Sequence, residues 1–176
     1  MNTYYIDGYN VIHFCPRLQP LADRDFEAAR DTLIDRVSRY CAQTGEVARI
    51  VFDGRGRKPE PSAPFRGAPG LEVVYSPGHL SADTLIERFV YGSKNRREIV
   101  VVTGDQGIRQ LCRGLGSFVM APEHFLDMIQ ETLDRAGHAL RVDAQRYCSS
   151  PLEDRLDDNA RNRLNRLKRS LKDNNE

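Results

Sequence analysis

No stretch of this chain approaches the ~20 consecutive apolar residues that cross a bilayer. Its opening, MNTYYID, lacks the basic segment and apolar core of a secretion signal. Neither membrane insertion nor export is expected. Cys15, Cys41, Cys112 and Cys148 stand far apart, without the paired short spacings of a zinc site or the density of a disulfide scaffold. A reducing cytoplasm is therefore the expected compartment, with the thiols serving as small buried apolar groups. An excess of one charge is also missing, because 26 Lys and Arg against 25 Asp and Glu leave a net +1. Any argument for a polyanionic partner must come from where the charges sit.

What is present suits one domain and a tail. A chain of 176 residues buries roughly 70% of its unfolded surface in a single core. Residues 3 to 7, 47 to 53 (VARIVFD), 71 to 76 (LEVVYS), 98 to 105 (EIVVVTGD) and 116 to 121 (GSFVMA) read as strands. Between them, Phe26, Ala29, Leu33, Val37, Tyr40 and Cys41 recur at helical spacing over 23 to 44, stopped by Gly45. Leu85, Ile86, Phe89 and Val90 mark a helix from about 81 to 94, a short helix follows Asp105, and 122 to 137 runs from a proline to a glycine. Apolar strands alternating with helices predict a mostly parallel α/β sheet covered on both faces, over about residues 1–140.

Two segments depart from that pattern. GRGRKPEPSAPFRGAPG, residues 54 to 70, holds four Gly, four Pro and four Arg or Lys, and is long for a connection in a compact domain. It reads as a basic loop. From Pro151 onward, Leu152, Leu156, Ala160, Leu164, Leu167 and Leu171 lie at helical spacing among seven Arg and Lys, giving a basic amphipathic tail over 151–176.

Chemistry enters at the strand ends. In a parallel sheet the loops beyond the carboxyl ends of the strands converge on the ligand. Asp7 closes the first strand, Asp53 the second, Asp105 follows the fourth, and Asp83 lies in the first turn of the helix that starts on the same edge. At about 6 Å and an effective dielectric near 20, each like-charged pair repels by roughly 3 kcal/mol, on the order of 15 kcal/mol for all four. Such a set must take up protons, recruit Arg or Lys, or bind a divalent cation. Oxygen-only donors suit Mg²⁺ or Mn²⁺, whereas zinc would call for clustered His and Cys. A carboxylate-held Mg²⁺ equips a site to hydrolyse phosphate esters, with Asn10 available to orient a water or a phosphate oxygen.

Each acid also has an ordinary reading on its own. Asp83 suits the positive end of a helix dipole, Asp53 before Gly54 is turn chemistry, and Asp105 would cap the helix after it. Asp7 is the exception, because no turn or helix start in the sequence calls for an acid there.

DGYNVI, EAARDTLIDRVSRY, VFDG, SADTLIERFV and VVTGDQGIR, in that order over about residues 4 to 130, resemble the YacP-like NYN-domain family, a branch of the PIN-like metal-dependent nucleases. The resemblance implies a PIN-like α/β sandwich that cuts RNA endonucleolytically with Mg²⁺ or Mn²⁺, leaving 3′-hydroxyl and 5′-phosphate ends. It places the metal ligands on Asp7, Asp83 and Asp105, with Asp53 and Asn10 beside them. Because the branch includes an endonuclease that cuts messenger RNA on the ribosome, it also implies single-stranded or messenger RNA, and the ribosome, as partners. The leucine and arginine tail has no counterpart in that resemblance.

If RNA is the substrate, Arg55, Arg57, Lys58 and Arg66 lie in the loop directly after Asp53 and would clamp its phosphates; solubilising charge is the alternative. Tyr9 and Phe65 are the aromatics best placed for base stacking. Arg30 either pairs with one of the acids or is a solvated helix charge, and His13 and His79 are expected on loops near the same edge. The competing reading of the whole chain is a non-catalytic RNA- or ribosome-binding module with the same fold. A flap-type DNA nuclease would need a helical arch that the sequence does not show.

Overall fold

The computed structural model describes residues 2–54 and 68–149. The loop cations Arg55, Arg57, Lys58 and Arg66, together with Phe65 and the tail 151–176, lie outside the described residues. Two compact units are distinguished, residues 1–134 and 135–176. The described part of the second is helical, residues 135–149.

The first unit is built on five strands, β1 (Thr3–Asp7), β2 (Val47–Phe52), β3 (Leu71–Tyr75), β4 (Ile99–Val102) and β5 (Phe118–Met120), in the order β3-β2-β1-β4-β5. Every pairing is parallel, with Ile6 registered between Ile50 and Val102. Parallel neighbours cannot be joined by hairpins and require crossovers. Helices α1 (Gly8–Phe14), α2 (Gln19–Ala22) and α3 (Phe26–Thr44) lie between β1 and β2, α4 (Ala82–Gly92) between β3 and β4, and α5 (Gln106–Gly114) between β4 and β5.

Side chains along a strand alternate between faces, and the two cores divide accordingly. Tyr4, Ile6, Ile50, Phe52, Val100 and Val102 pack with α1, α3 and the start of α6 (Pro122–Ser149) through residues such as Val11, Leu33, Val37 and Phe125. Tyr5, Val51, Ile99 and Val101 pack on the other face with Ala82, Ile86 and Val90 of α4 and Cys112 of α5. Each fully buried large side chain contributes about 1.5–3 kcal/mol, so burial on both faces holds the central strands β1 and β4 in place.

Several expected boundaries change, three of them for a specific reason. Residues 8 to 14 are helix rather than loop, because Asp7 caps them: its Oδ1 accepts the Asn10 amide. The fourth strand is shorter than expected and stops at Val102, leaving Thr103 to Asp105 as a turn that leads into α5. Gly137 does not end α6, which runs on to Ser149. A glycine inside a helix costs only about 1 kcal/mol, and the next residue able to block a helical turn is Pro151. Gly45, by contrast, does terminate α3, at a φ of 73° that suits glycine.

Candidate active site

The chain leaves β1 for β2 on one side and β4 for β5 on the other. The carboxyl ends of β1 and β4 therefore flank a switch point of the sheet, where open α/β folds bind ligands. Asp7 and Asp105 stand on its two sides.

Each acid is held by the start of a helix. Asp7 is buried, at 6% exposure, and its Oδ1 accepts the Asn10 amide at 3.1 Å. The sequence offered no reason for an acid at this position; the cap of α1 supplies one, and the cluster supplies a second. The next residue must be glycine, because a Cβ on Gly8 would stand 2.2 Å from the Phe52 ring. Asp105 caps α5, its Oδ1 accepting the Ile108 amide at 2.9 Å. Asp53, just beyond β2, accepts the Ala82 amide at 2.6 Å and the Ser76 hydroxyl at 3.3 Å, and so joins the ends of β2 and β3 to the first turn of α4. That turn carries Asp83, with Ser81 as its own cap. Among the described residues, the amides that reach Asp7, Asp53 and Asp105 all meet Oδ1.

The structure brings all four acids into electrostatic contact. Burial, first, and then the charges of Asp83 and Asp53 and a hydrogen bond with Asp83 push the Asp7 carboxyl up to about 7; the Asn10 amide partly opposes this. Asp83 is also raised, chiefly by burial and next by the charge of Asp105. Burial and neighbouring acids thus shift both Asp7 and Asp83 toward their protonated forms, and taking up protons is one of the three ways such a cluster limits its repulsion.

A divalent cation is another. No group of three His, Cys, Asp or Glu is arranged to hold an ion among the described residues, so these side chains do not form a closed cage. The donor set nevertheless fits Mg²⁺ or Mn²⁺. It is all oxygen, and its buried member is a carboxyl whose titration is raised, a shift that a nearby cation would oppose. Mg²⁺ also keeps several waters and needs one or two direct carboxylates.

Asn10 has a structural role that its position in the sequence did not suggest. Its Oδ1 accepts the Gly104 amide at 2.5 Å, tying α1 to the turn that precedes Asp105. Only its side-chain NH₂ remains to meet a water or phosphate oxygen. Beside Asp53, Tyr9, Phe26, Glu27, Arg30, Gly54 and Tyr75 line a groove of about 220 Å³. Arg30 pairs there with Glu27 at 4.0 Å and Asp31 at 3.4 Å on its own helix, rather than with the acidic cluster. His79 lines an adjoining hollow with Asp53, while His13 belongs to the last turn of α1 rather than to a loop.

A cleft of about 880 Å³ lies at the other edge of the sheet and is lined by residues 91–98, Leu115 and Gly116. It contains none of the acids. Two participants were not anticipated from sequence. Ser76 is visible only as a serine closing a strand. Phe14 sits one helical turn beyond Asn10, and that spacing is its only sequence signal.

The YacP-like NYN domain model matches residues 4–169. YacP of Bacillus subtilis (strain 168), described as uncharacterized, is 29% identical over 136 residues, which is 77% of this chain and 78% of that protein. The crystal structure of Rae1 (YacP) from Bacillus subtilis aligns with a TM-score of 0.68 at 25% identity, covering 86% of this chain and 87% of that one. A point mutant of the same protein gives a TM-score of 0.68 at 24% identity, covering 94% and 99%. With its parallel five-stranded sheet and a match over almost its whole length, the chain belongs to the YacP-like NYN domain family, whose fold is that of the PIN-like nucleases.

Proposed function

We propose that this protein is a metal-dependent endoribonuclease of the cytoplasm that hydrolyses phosphodiester bonds in single-stranded or messenger RNA, with the ribosome as a partner. The observation that carries this reading is the buried Asp7, lifted to about 7 among three further carboxylates delivered by separate segments. A module that only binds RNA gains nothing from burying negative charge where a polyanion must approach.

In this reading Asp7, Asp83 and Asp105 hold Mg²⁺ or Mn²⁺, and Asp53 fixes the helix turn from which Asp83 projects. Bound there, the cation lowers the pKa of a water and neutralises charge on the phosphoryl oxygens. With a cation held there, the charged form of Asp7 is favoured over its protonated form. Asn10 keeps the Asp105 turn in place, and its NH₂ donates toward a phosphate oxygen. Arg30 offers a guanidinium along the groove, in addition to the loop cations Arg55, Arg57, Lys58 and Arg66 as a phosphate clamp.

The alternative, a binding module with a nuclease fold, draws on the lack of a closed cage among the described residues. One titration separates the two. Mn²⁺ is added to the wild type and to Asp7→Asn while thermal stability and cleavage of a mixed single-stranded RNA are followed. Stabilisation and cutting in the wild type alone support the nuclease. Stabilisation without cutting keeps the metal site and moves the search to ribosome-bound RNA. No stabilisation removes the metal and favours the binding module.

A further inference from the structure

We infer that Phe14 is a stacking platform for a nucleobase of the RNA held at the carboxylates, a role that rests on the endoribonuclease reading above. Among the described residues the exposed large apolar side chains are Phe14 at 52%, Tyr91 at 68%, Leu111 at 36% and Phe118 at 62%. Tyr91 is near the end of α4 and Phe118 opens β5, so both stand at the edge of the sheet away from the acids. Leu111 lies in the second turn of α5 and has no ring.

Phe14 stands on the acidic edge. A Cβ built on Gly104 would lie 3.1 Å from Phe14 Cδ2 and 3.1 Å from Asn10 Oδ1. The ring therefore rests against the turn that delivers Asp105, and glycine is the residue that leaves room for it. One short helix thus carries Asp7 at its cap, Asn10 in its first turn and Phe14 at its end. The ring is positioned by the same contacts that position the acids.

Tyr9, the aromatic that the sequence favoured for this task, is engaged elsewhere. Its ring lies 5.1 Å from Phe26 and 5.4 Å from Phe52, as part of the core margin. Single-stranded RNA offers splayed bases to exposed aromatic faces, and such stacking tolerates any base. A phenyl ring half in water against the turn that delivers Asp105 fits an occupant that has both a flat apolar face and a phosphate.

The chain has no tryptophan, so Phe14→Trp introduces a single fluorescent reporter. It is placed in an Asp7→Asn background, chosen so that on the nuclease reading the RNA stays uncut, and titrated with a labelled oligouridylate and with an abasic oligomer of the same length. Anisotropy of the label reports binding, and tryptophan quenching reports stacking. The expected result is quenching that saturates with the anisotropy for the base-bearing oligomer and is missing for the abasic one. Phe14→Ala should weaken binding by roughly 5- to 100-fold, with Phe14→Tyr restoring it.

Binding without quenching, or equal quenching by the abasic oligomer, overturns the role of Phe14 and leaves the nuclease reading standing. No binding of RNA also overturns it. Cleavage by the wild type, scored separately, then tells whether the nuclease reading falls as well.

Discussion

Asn10 Oδ1 and the amide of Gly104 meet at 2.5 Å across 94 residues of sequence. The bond joins the helix capped by Asp7 to the turn that ends in Asp105, so it sets the spacing of two proposed ligands from opposite sides of the switch point. Removing it strands a partly buried amide, at a cost of about 1–3 kcal/mol. Asn10→Ala should therefore melt earlier by several degrees, and its kcat should fall more than its KM rises. Full activity in this variant would show that the tether is not needed to place Asp105.

Asp7 makes stability depend on pH in metal-free buffer. Its carboxyl titrates near 7 in the folded protein and near 3.8 when exposed. Below pH 4 both states keep the proton, and Asp7 adds no penalty. As pH rises from about 4 to 7 the unfolded chain ionises while the folded one does not, so stability falls; above about 7 the penalty is complete, at roughly 4 kcal/mol. Asp7→Asn should gain stability over the wild type at pH 8, lose that advantage by pH 4, and fail to cut RNA. Urea denaturation at the two pH values in EDTA, together with a cleavage assay, checks all three.

The same proton competes with the cation. Mn²⁺ affinity should fall progressively as pH drops below about 7, approaching tenfold per unit, with close to one proton released per ion bound. Calorimetry at pH 6 in two buffers of different ionisation enthalpy measures that release. A proton count near zero would place the ion away from Asp7.

Asp53 and Asp83 are neighbours with separable roles. Asp53 accepts from Ala82 and Ser76, so Asp53→Ala leaves two donors unpaired and should cost about 2 kcal/mol or more, whereas Asp53→Asn keeps an acceptor oxygen. Asp83→Asn should abolish cleavage with no loss of stability, since it removes a repelling charge while its amide can still hydrogen-bond Asp7. If Asp83→Asn unfolds the protein, the acid is structural and the ligand assignment fails.

The parallel sheet and its helices were legible because apolar runs and helical spacing report burial directly, and the sequence also placed all four acids on one edge. What it hid was local. Helix α1 is too short for its GYNVIHF to show periodicity, so the cap on Asp7 went unseen. Gly137 looked like a helix end because glycine's modest cost was read without the stretch beyond it. The roles of Ser76, Phe14 and the Asn10 oxygen depend on contacts across 22 to 94 residues, or on exposure, which no spacing within the chain encodes.

Gly8 offers the most direct test of how closely the acidic edge is packed. A Cβ at this position would fall 2.2 Å from Phe52 Cε1 and 2.6 Å from Cδ1, and Phe52 is fully buried, stacked on Tyr75 and edge-on to Tyr9. The ring is enclosed on the β2 side of the contact, so α1 and β2 must part to admit the methyl. Gly8→Ala should cost about 1–3 kcal/mol from overpacking, and the shift falls on the residue next to Asp7, so cleavage and Mn²⁺ affinity should drop with stability. Phe52→Leu removes the ring edge and alone costs stability through a cavity. In the double variant the new methyl occupies part of that cavity, and the two penalties should sum to less than their separate values by at least about 0.5 kcal/mol. Simple additivity in a thermal-stability cycle would mean that the penalty of Gly8→Ala does not come from the Phe52 ring.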